Sequence, residues 1–266
     1  MRYLTFASAL LVSTALFAHS EEGSVQKLLE QYQFIGSEKV LDIGCREGAL
    51  TAAIAKQVPR GFVVGVDLSH AMVDLAKDLF GARQKNVAFQ VKDLSELQYK
   101  EQFDLVTSFT SMPLIVNQLN ALKSFEQFLK PGGLVWIQMP TRLPASLESA
   151  LRLVTEKDRW KPYFMKFSPR WHFYQPDEYR PLLQRAKLKP TTLQVIRKTE
   201  AFASRAEFQS ALRQWLPFLA PLPTNLKESF LTEVVDAYLE ISPNEASGSI
   251  IYESDVLNVQ AEKSRI

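Results

Sequence analysis

From residue 25 to residue 140 the chain alternates between two hydrophobic periods. Val25, Leu28, Leu29 and Tyr32 recur at helical spacing and Gly36-Ser37 ends that segment. Lys39 to Ile43 is a short apolar run, which reads as a buried strand. Ala49 to Val58 returns to the helical period and is stopped by Pro59. Phe62 to Val66 is a second buried strand closing on Asp67, and Ser69 stands where a helix through Phe80 needs a cap. Asn86 to Val91, Phe103 to Phe109 and Leu134 to Met139 read as three more strands. A helix over Ile115 to Leu129, ended by Pro131-Gly132-Gly133, precedes the last of them. Several of these strands are apolar on both faces, which is the pattern of a parallel sheet covered by helices. Right-handed crossovers then leave few topologies.

After Pro140 the pattern loosens. A helix is predicted over Pro144 to Lys157. The stretch DRWKPYFMKFSPRWHFYQPDEY is aromatic-rich and broken by prolines, so it reads as a lid or pocket wall. Asp177 to Ala186 is helical and Thr191 to Arg197 extended. Helices follow near Arg205 to Trp215 and Leu226 to Leu239, and Ser249 to Gln260 has strand character. No Gly/Ser-rich linker separates these parts, so one domain over residues 21–266 with a helical insertion at about 144–186 is expected.

The first twenty residues stand apart. A lone Arg2 precedes an apolar run from Tyr3 to Ala18, and Ala18-His19-Ser20 gives a small-x-small pattern before Glu21-Glu22. Residues 1–20 read as a secretory signal peptide, too short and wrongly flanked for a stable membrane span. An exported protein is the expectation if that signal operates, and a cytoplasmic one otherwise. With 46% hydrophobic residues the remainder can bury a sizeable core, and a formal charge of +2 gives no basic stripe for nucleic acid. The single cysteine, Cys45, excludes an intramolecular disulfide and a cysteine-rich zinc site. No metal site and no obligate protein partner is expected.

Chemistry concentrates where the first strand meets its helix, in VLDIGCREG. In an open parallel sheet, ligands bind beyond the carboxyl ends of the strands. Gly44 and Gly48 flank this turn, where the backbone must approach a ligand or take a positive φ. Asp67 ends the second strand, where a carboxylate can accept from both hydroxyls of a ribose. Asp93-Leu94 ends the third. A dinucleotide site would want the spacing G-x-G-x-x-G and a pyrophosphate at the helix N-terminus. The run Gly44-Cys45-Arg46-Glu47-Gly48 lacks that spacing, and Glu47 would repel the pyrophosphate while suiting a cationic amino end.

With VVGVDLS, VAFQVKDLSEL, FDLVTSF and LKPGGLVWI following VLDIGCREG in order, the chain resembles the class I S-adenosylmethionine-dependent methyltransferases from about Val25 to Lys263. The resemblance implies a Rossmann-like, seven-stranded, mostly parallel sheet with helices on both faces. It implies S-adenosyl-L-methionine as cofactor and a small-molecule acceptor. It places Asp42, Gly44 and Gly48 at the methionine end of the cofactor, Asp67 on the ribose, Leu68 on the adenine, and Asp93 with Leu94 around its amino group. Ser108 would lie beside the methionine moiety or the methyl group, and Gln26 near the cofactor. Arg46 departs from the family, which usually has glycine there; an ordinary φ with the side chain turned outward would preserve the pocket.

The distal half is most similar to the small-acid branch of that superfamily, the methyltransferases of trans-aconitate and juvenile hormone acid, which makes a carboxylate a candidate acceptor. Pro113-Leu114 stands where that branch has a polar and aromatic pair. His172, between Trp171 and Phe173, is the candidate catalytic residue. The alternative reading is an exported binding protein that keeps the fold without turnover.

Overall fold

The computed structural model describes residues 29–109, 111–243 and 248–265. In chain order come β1 (Lys39–Ile43), α1 (Ala49–Gln57), β2 (Phe62–Asp67), α2 (His70–Ala76), β3 (Val87–Val91), β4 (Phe103–Phe109), α3 (Gln118–Phe128) and β5 (Leu129–Pro140). Then follow α4 (Ala145–Thr155), α5 (Lys161–Phe164), α6 (Pro176–Arg185), β6 (Leu188–Phe202), α7 (Arg205–Trp215), α8 (Thr224–Ile241) and β7 (Ile250–Lys263). The leader expected at residues 1–20, Gln26 and the start of the expected first helix, residues 25–28, lie outside the described residues.

The strands form one sheet in the order β3-β2-β1-β4-β5-β7-β6. β1 to β5 pair in parallel, and β7 runs antiparallel to β5 from Leu134↔Glu262 to Pro140↔Val256. The seven-stranded, mostly parallel sheet read from the sequence is therefore the one observed. Chain contacts divide the described residues into two compact units. One holds residues 29 to 141, Trp171–Ile196 and the chain from Val256 on; the other holds Arg142–Arg170 and Arg197–Asp255. The region expected as an insertion is shared between the two.

In the first unit the alternation along each strand sends side chains to opposite faces. Leu41, Ile43, Val106, Ile137 and Met139 pack with Leu122 and Phe125 of α3 and with Tyr179 and Leu183 of α6. Val40, Val63, Leu105 and Trp136 pack instead with Ile54 and Ala55 of α1 and with Val73 and Ala76 of α2. Helices cover both faces, so both strand registers are apolar. Each such buried aliphatic side chain contributes about 1.5–3 kcal/mol relative to exposure. In the second unit α4 and α7 pack on α8, burying Leu147, Leu151, Phe208, Leu212, Leu231 and Val234. Trp160 is fully buried there, edge-on to Phe230 at 5.3 Å.

Several boundaries differ from the sequence reading: β5 begins at Leu129, ahead of the expected Leu134, and α3 at Gln118, after the expected Ile115. The helix opened by Ser69 ends at Ala76, and Lys77–Gly81 continues as a wider π turn. β6 is longer than predicted because it ends the strand order, where one side lacks a neighbour and polar side chains are tolerated. The hydrophobic period therefore fades along a strand whose ladder persists.

One polar row crosses the apolar sheet. Asp42, Thr107, Trp136 and Gln260 are successive register partners on β1, β4, β5 and β7. Asp42 is 3% exposed and accepts from Thr107 Oγ1 at 2.8 Å and from Thr51 Oγ1 at 2.6 Å. It thereby ties β1 to β4 and to α1. Burial pushes its carboxyl above the ordinary aspartate range, against the two hydroxyl bonds, and nearby Asp67 adds to the rise. Folding thus favours the protonated form. That contribution is full below the ordinary aspartate value and is lost as pH rises through the raised one. Asp42→Asn, neutral throughout, should lack this slope. The Tm gap between wild type and Asp42→Asn should accordingly shrink as pH is raised from about 4 to about 8, and thermal denaturation across that range checks it.

Candidate functional site

At the carboxyl edge of the sheet the chain leaves β1 through a turn with three residues at positive φ: Gly44 at 80°, Arg46 at 51° and Gly48 at 83°. The amides of Gly44 and Cys45 both donate to the Val66 carbonyl, at 2.8 and 3.1 Å, and Arg46 N donates to Asp67 Oδ2 at 3.0 Å. The turn after β1 is thus hung from the end of β2. Glycine at 44 is required by space as well as by φ, since a Cβ there would fall 1.8 Å from Ser111 Oγ. At Gly48 it would meet Phe89 Cε1 at 2.7 Å and Ala76 Cβ at 2.8 Å.

Arg46 does not keep the ordinary φ expected of it. It adopts the left-handed conformation that glycine would take, at a cost of about 1–2 kcal/mol. Its side chain turns to Glu47, with Nε 3.5 Å from Oε2. That is an ion pair without a hydrogen bond, and Glu47 Oε2 is buried and otherwise unpartnered. A buried carboxylate oxygen short of a donor is a place for an ammonium group.

Asp67 Oδ1 accepts from Ser69 N at 2.8 Å, so each carboxylate oxygen takes one backbone N–H. A carboxylate offers about four acceptor positions, which leaves room for a diol. Ser69 Oγ itself caps α2 through Met72 N. Leu68, next in sequence, is 67% exposed and displays an apolar side chain beside the corner. Asp93 Oδ1 takes both Ser95 N and Ser95 Oγ, closing a capping box with Glu96, and these bonds hold its carboxyl below the ordinary range. Leu94 is half-buried against the core.

Two of the expected ligand residues are engaged inside the protein. Asp42 is taken up by Thr51 and Thr107 as described. Ser108 is fully buried and donates to the Ile43 carbonyl at 3.2 Å, so it fixes the end of β4 against the end of β1. Both therefore hold the strand ends that carry the turn. Cys45 is buried, and burial together with the Asp42 and Asp67 carboxylates pushes its thiol far up, away from nucleophile chemistry.

His172 comes to the segment that follows β4. Its N–H donates to the Pro113 carbonyl at 2.9 Å, and its own carbonyl accepts from Gln118 Nε2 at 2.9 Å. The imidazole Nε2 is buried without a partner. Sequence reading had missed Ser111, Gln118 and Tyr179. The latter two carried a signal, since each is a polar-tipped side chain on the apolar stripe of its helix, at the spacing 118, 121, 122, 125 and 179, 182, 183, 186. Among the described residues no group of three His, Cys, Asp or Glu is placed to hold a metal, and no helix is long and apolar enough to cross a membrane.

Comparison with known proteins bears on this corner. Residues 40–133 match the model of a methyltransferase domain. The product 235L of Invertebrate iridescent virus 6, which carries a methyltransferase name, is 26% identical over 215 residues, 81% of this chain and 79% of that one. A ubiquinone biosynthesis O-methyltransferase of Coxiella burnetii is 32% identical over 108 residues, and the chain spans only 45% of its length. Among solved structures, phosphoethanolamine N-methyltransferase 2 of Haemonchus contortus, in complex with S-adenosyl-L-methionine, aligns over 91% of this chain and 52% of its own with a TM-score of 0.57 and 18% identity. That likeness is one of fold. The matched segment spans the glycine turn, Asp67 and Asp93, so residues 40–133 are similar to a methyltransferase domain.

Proposed function

We propose that the corner formed by Gly44, Arg46, Glu47, Gly48 and Asp67 holds S-adenosyl-L-methionine, and that the protein methylates a small-molecule acceptor. The observation that carries this is the pairing of opposite demands across one turn. Asp67 keeps acceptor capacity for a ribose diol, while Glu47 Oε2, ion-paired with Arg46 at 3.5 Å, is buried and still accepts no hydrogen bond, a place an ammonium group can fill. S-adenosylmethionine offers both, and a nicotinamide dinucleotide would put its pyrophosphate against Glu47. On this reading Leu68, exposed beside the corner, would cover the adenine, and Asp93 with Leu94 would meet its amino group. Gly44 and Gly48 keep the backbone bare where the ligand approaches.

When bound, the cofactor supplies a methyl group already activated on a sulfonium. The chain's task is then to orient the acceptor and exclude water. His172, beside the segment after β4, is our candidate for the polar group on the acceptor side. A carboxylate acceptor, as in the small-acid branch the distal half resembles, is ionised at neutral pH and would call for a cation where it binds.

Calorimetry with S-adenosylhomocysteine tests the cofactor reading: binding is expected, with no heat from NADH. Asp67→Ala removes the diol's acceptor and also frees Arg46 N, so affinity should fall at least about tenfold, equivalent to about 1.4 kcal/mol. Gly44→Ala, forced to positive φ against Ser111, should lower stability by about 1–3 kcal/mol and abolish detectable binding. Arg46→Gly relieves the left-handed strain but gains chain entropy when unfolded. Its stability should therefore stay within about 1 kcal/mol of wild type, and denaturant titration measures it.

A further inference from the structure

Three buried polar atoms without partners gather on the segment after β4 and the chain packed against it. Gln118 is 1% exposed, and its Nε2 donates to the carbonyls of Met112 at 2.8 Å and His172 at 2.9 Å. Both amide hydrogens are thereby used, which fixes the orientation of the amide and leaves Oε1 buried with nothing donating to it. His172 Nε2 is in the same condition. Tyr179 is fully buried on α6, its ring 5.4 Å from that of Tyr174, and its hydroxyl also lacks a partner. α3, which Gln118 begins, packs against α6.

Buried polar groups are paired in the great majority of cases, and each exception calls for an explanation. Three exceptions on segments joined by these contacts, next to an apolar cluster that includes Met112, Ile115, Leu119, Tyr174 and Tyr179, have the composition of a ligand site: apolar side chains with a few polar groups. The segment from Ser111 to Ile115 connects this neighbourhood to the corner. Ser111 lies against Gly44, while the carbonyls of Met112 and Pro113 hold Gln118 and His172.

The three atoms also state what the ligand must offer. Gln118 Oε1 can only accept. Burial keeps the Tyr179 phenol protonated, so its O–H can donate. The unpartnered imidazole nitrogen offers one further hydrogen bond, as acceptor or donor according to its tautomer. An accept-only oxygen such as Gln118 Oε1 pairs with a hydroxyl and repels an ionised carboxylate. Resting on the cofactor reading above, we infer that Gln118, His172 and Tyr179 form the polar anchor of the acceptor site, and that the acceptor is a neutral, largely apolar molecule bearing hydroxyl groups, an alcohol or phenol and not a carboxylate.

Calorimetric titration of the full chain saturated with S-adenosylhomocysteine tests this, with catechol and benzoate as probes of equal ring size. Catechol should bind roughly tenfold or more tightly than benzoate. Tyr179→Phe and His172→Phe should each weaken catechol by roughly five- to tenfold while leaving S-adenosylhomocysteine affinity at the wild-type value. Tyr179→Phe removes an unsatisfied buried hydroxyl, so its Tm should equal or exceed that of wild type. Equal binding of the probes, preference for benzoate, binding of neither, or variants that bind catechol like wild type would each overturn the anchor. So would a lower Tm for Tyr179→Phe with catechol binding unchanged, which marks a packing role. Failure of the wild type to bind S-adenosylhomocysteine would instead overturn the cofactor reading, and the anchor with it.

Discussion

The structure turns on how five residues leave the first strand. Backbone amides at Gly44, Cys45 and Arg46 would be stranded at the sheet edge were they not accepted by the carbonyl of Val66 and the carboxylate of Asp67. Those acceptors belong to the neighbouring strand, so the turn exists only where β1 and β2 are already paired in their observed register. Unsatisfied, each buried amide would cost about 1–3 kcal/mol. The same bonds hold the chain at positive φ, which brings bare backbone to the edge and starts α1 at Gly48. Fold and ligand corner are in this sense one construction. Asp42 beneath the turn and Ser108 beside it extend the bracing to β4.

That dependence explains what could be read from the amino acids alone. Strands β1 to β5 were legible because their two faces are both covered, which makes each a largely apolar run with few polar positions. The corner was legible because positive φ and close packing demand glycine at 44 and 48, and glycines at that spacing after such a run are a visible signature. Arg46 escaped the rule. Nothing in its identity reveals that Asp67 would hold its amide and draw it into the conformation reserved for its usual replacement. Asp42 and Ser108 were visible as polar residues near the edge, but their direction was not, since period-two alternation assigns a face and not a hydrogen-bond partner. The acceptor side was the least legible. Gln118 and His172 meet where the Gln118 side-chain amide donates to the His172 carbonyl, between segments 54 residues apart, and no local pattern encodes that meeting.

The two halves of the chemistry accordingly differ in how they are specified. The cofactor corner is written in backbone geometry, which tolerates many side chains and matches well across a domain family. The acceptor side, on the inference drawn above, would be written in the few side-chain atoms of Gln118, His172 and Tyr179 that no protein group pairs. This asymmetry fits a fold in which one ligand is constant and the other varies, since fold alone does not define the reaction. It also accounts for a family match that stops at residue 133 while the segment carrying His172 and the helix carrying Tyr179 lie beyond it.

Cys45 draws a practical consequence from the same turn. It is the chain's single cysteine, and in the closed corner its sulfur is both covered and held protonated. A thiol in that state reacts with an alkylating reagent only during the moments when the turn comes away from β2. The rate of its modification is therefore a clock for local opening at the ligand corner, built into the wild-type protein and readable by mass without any label being introduced.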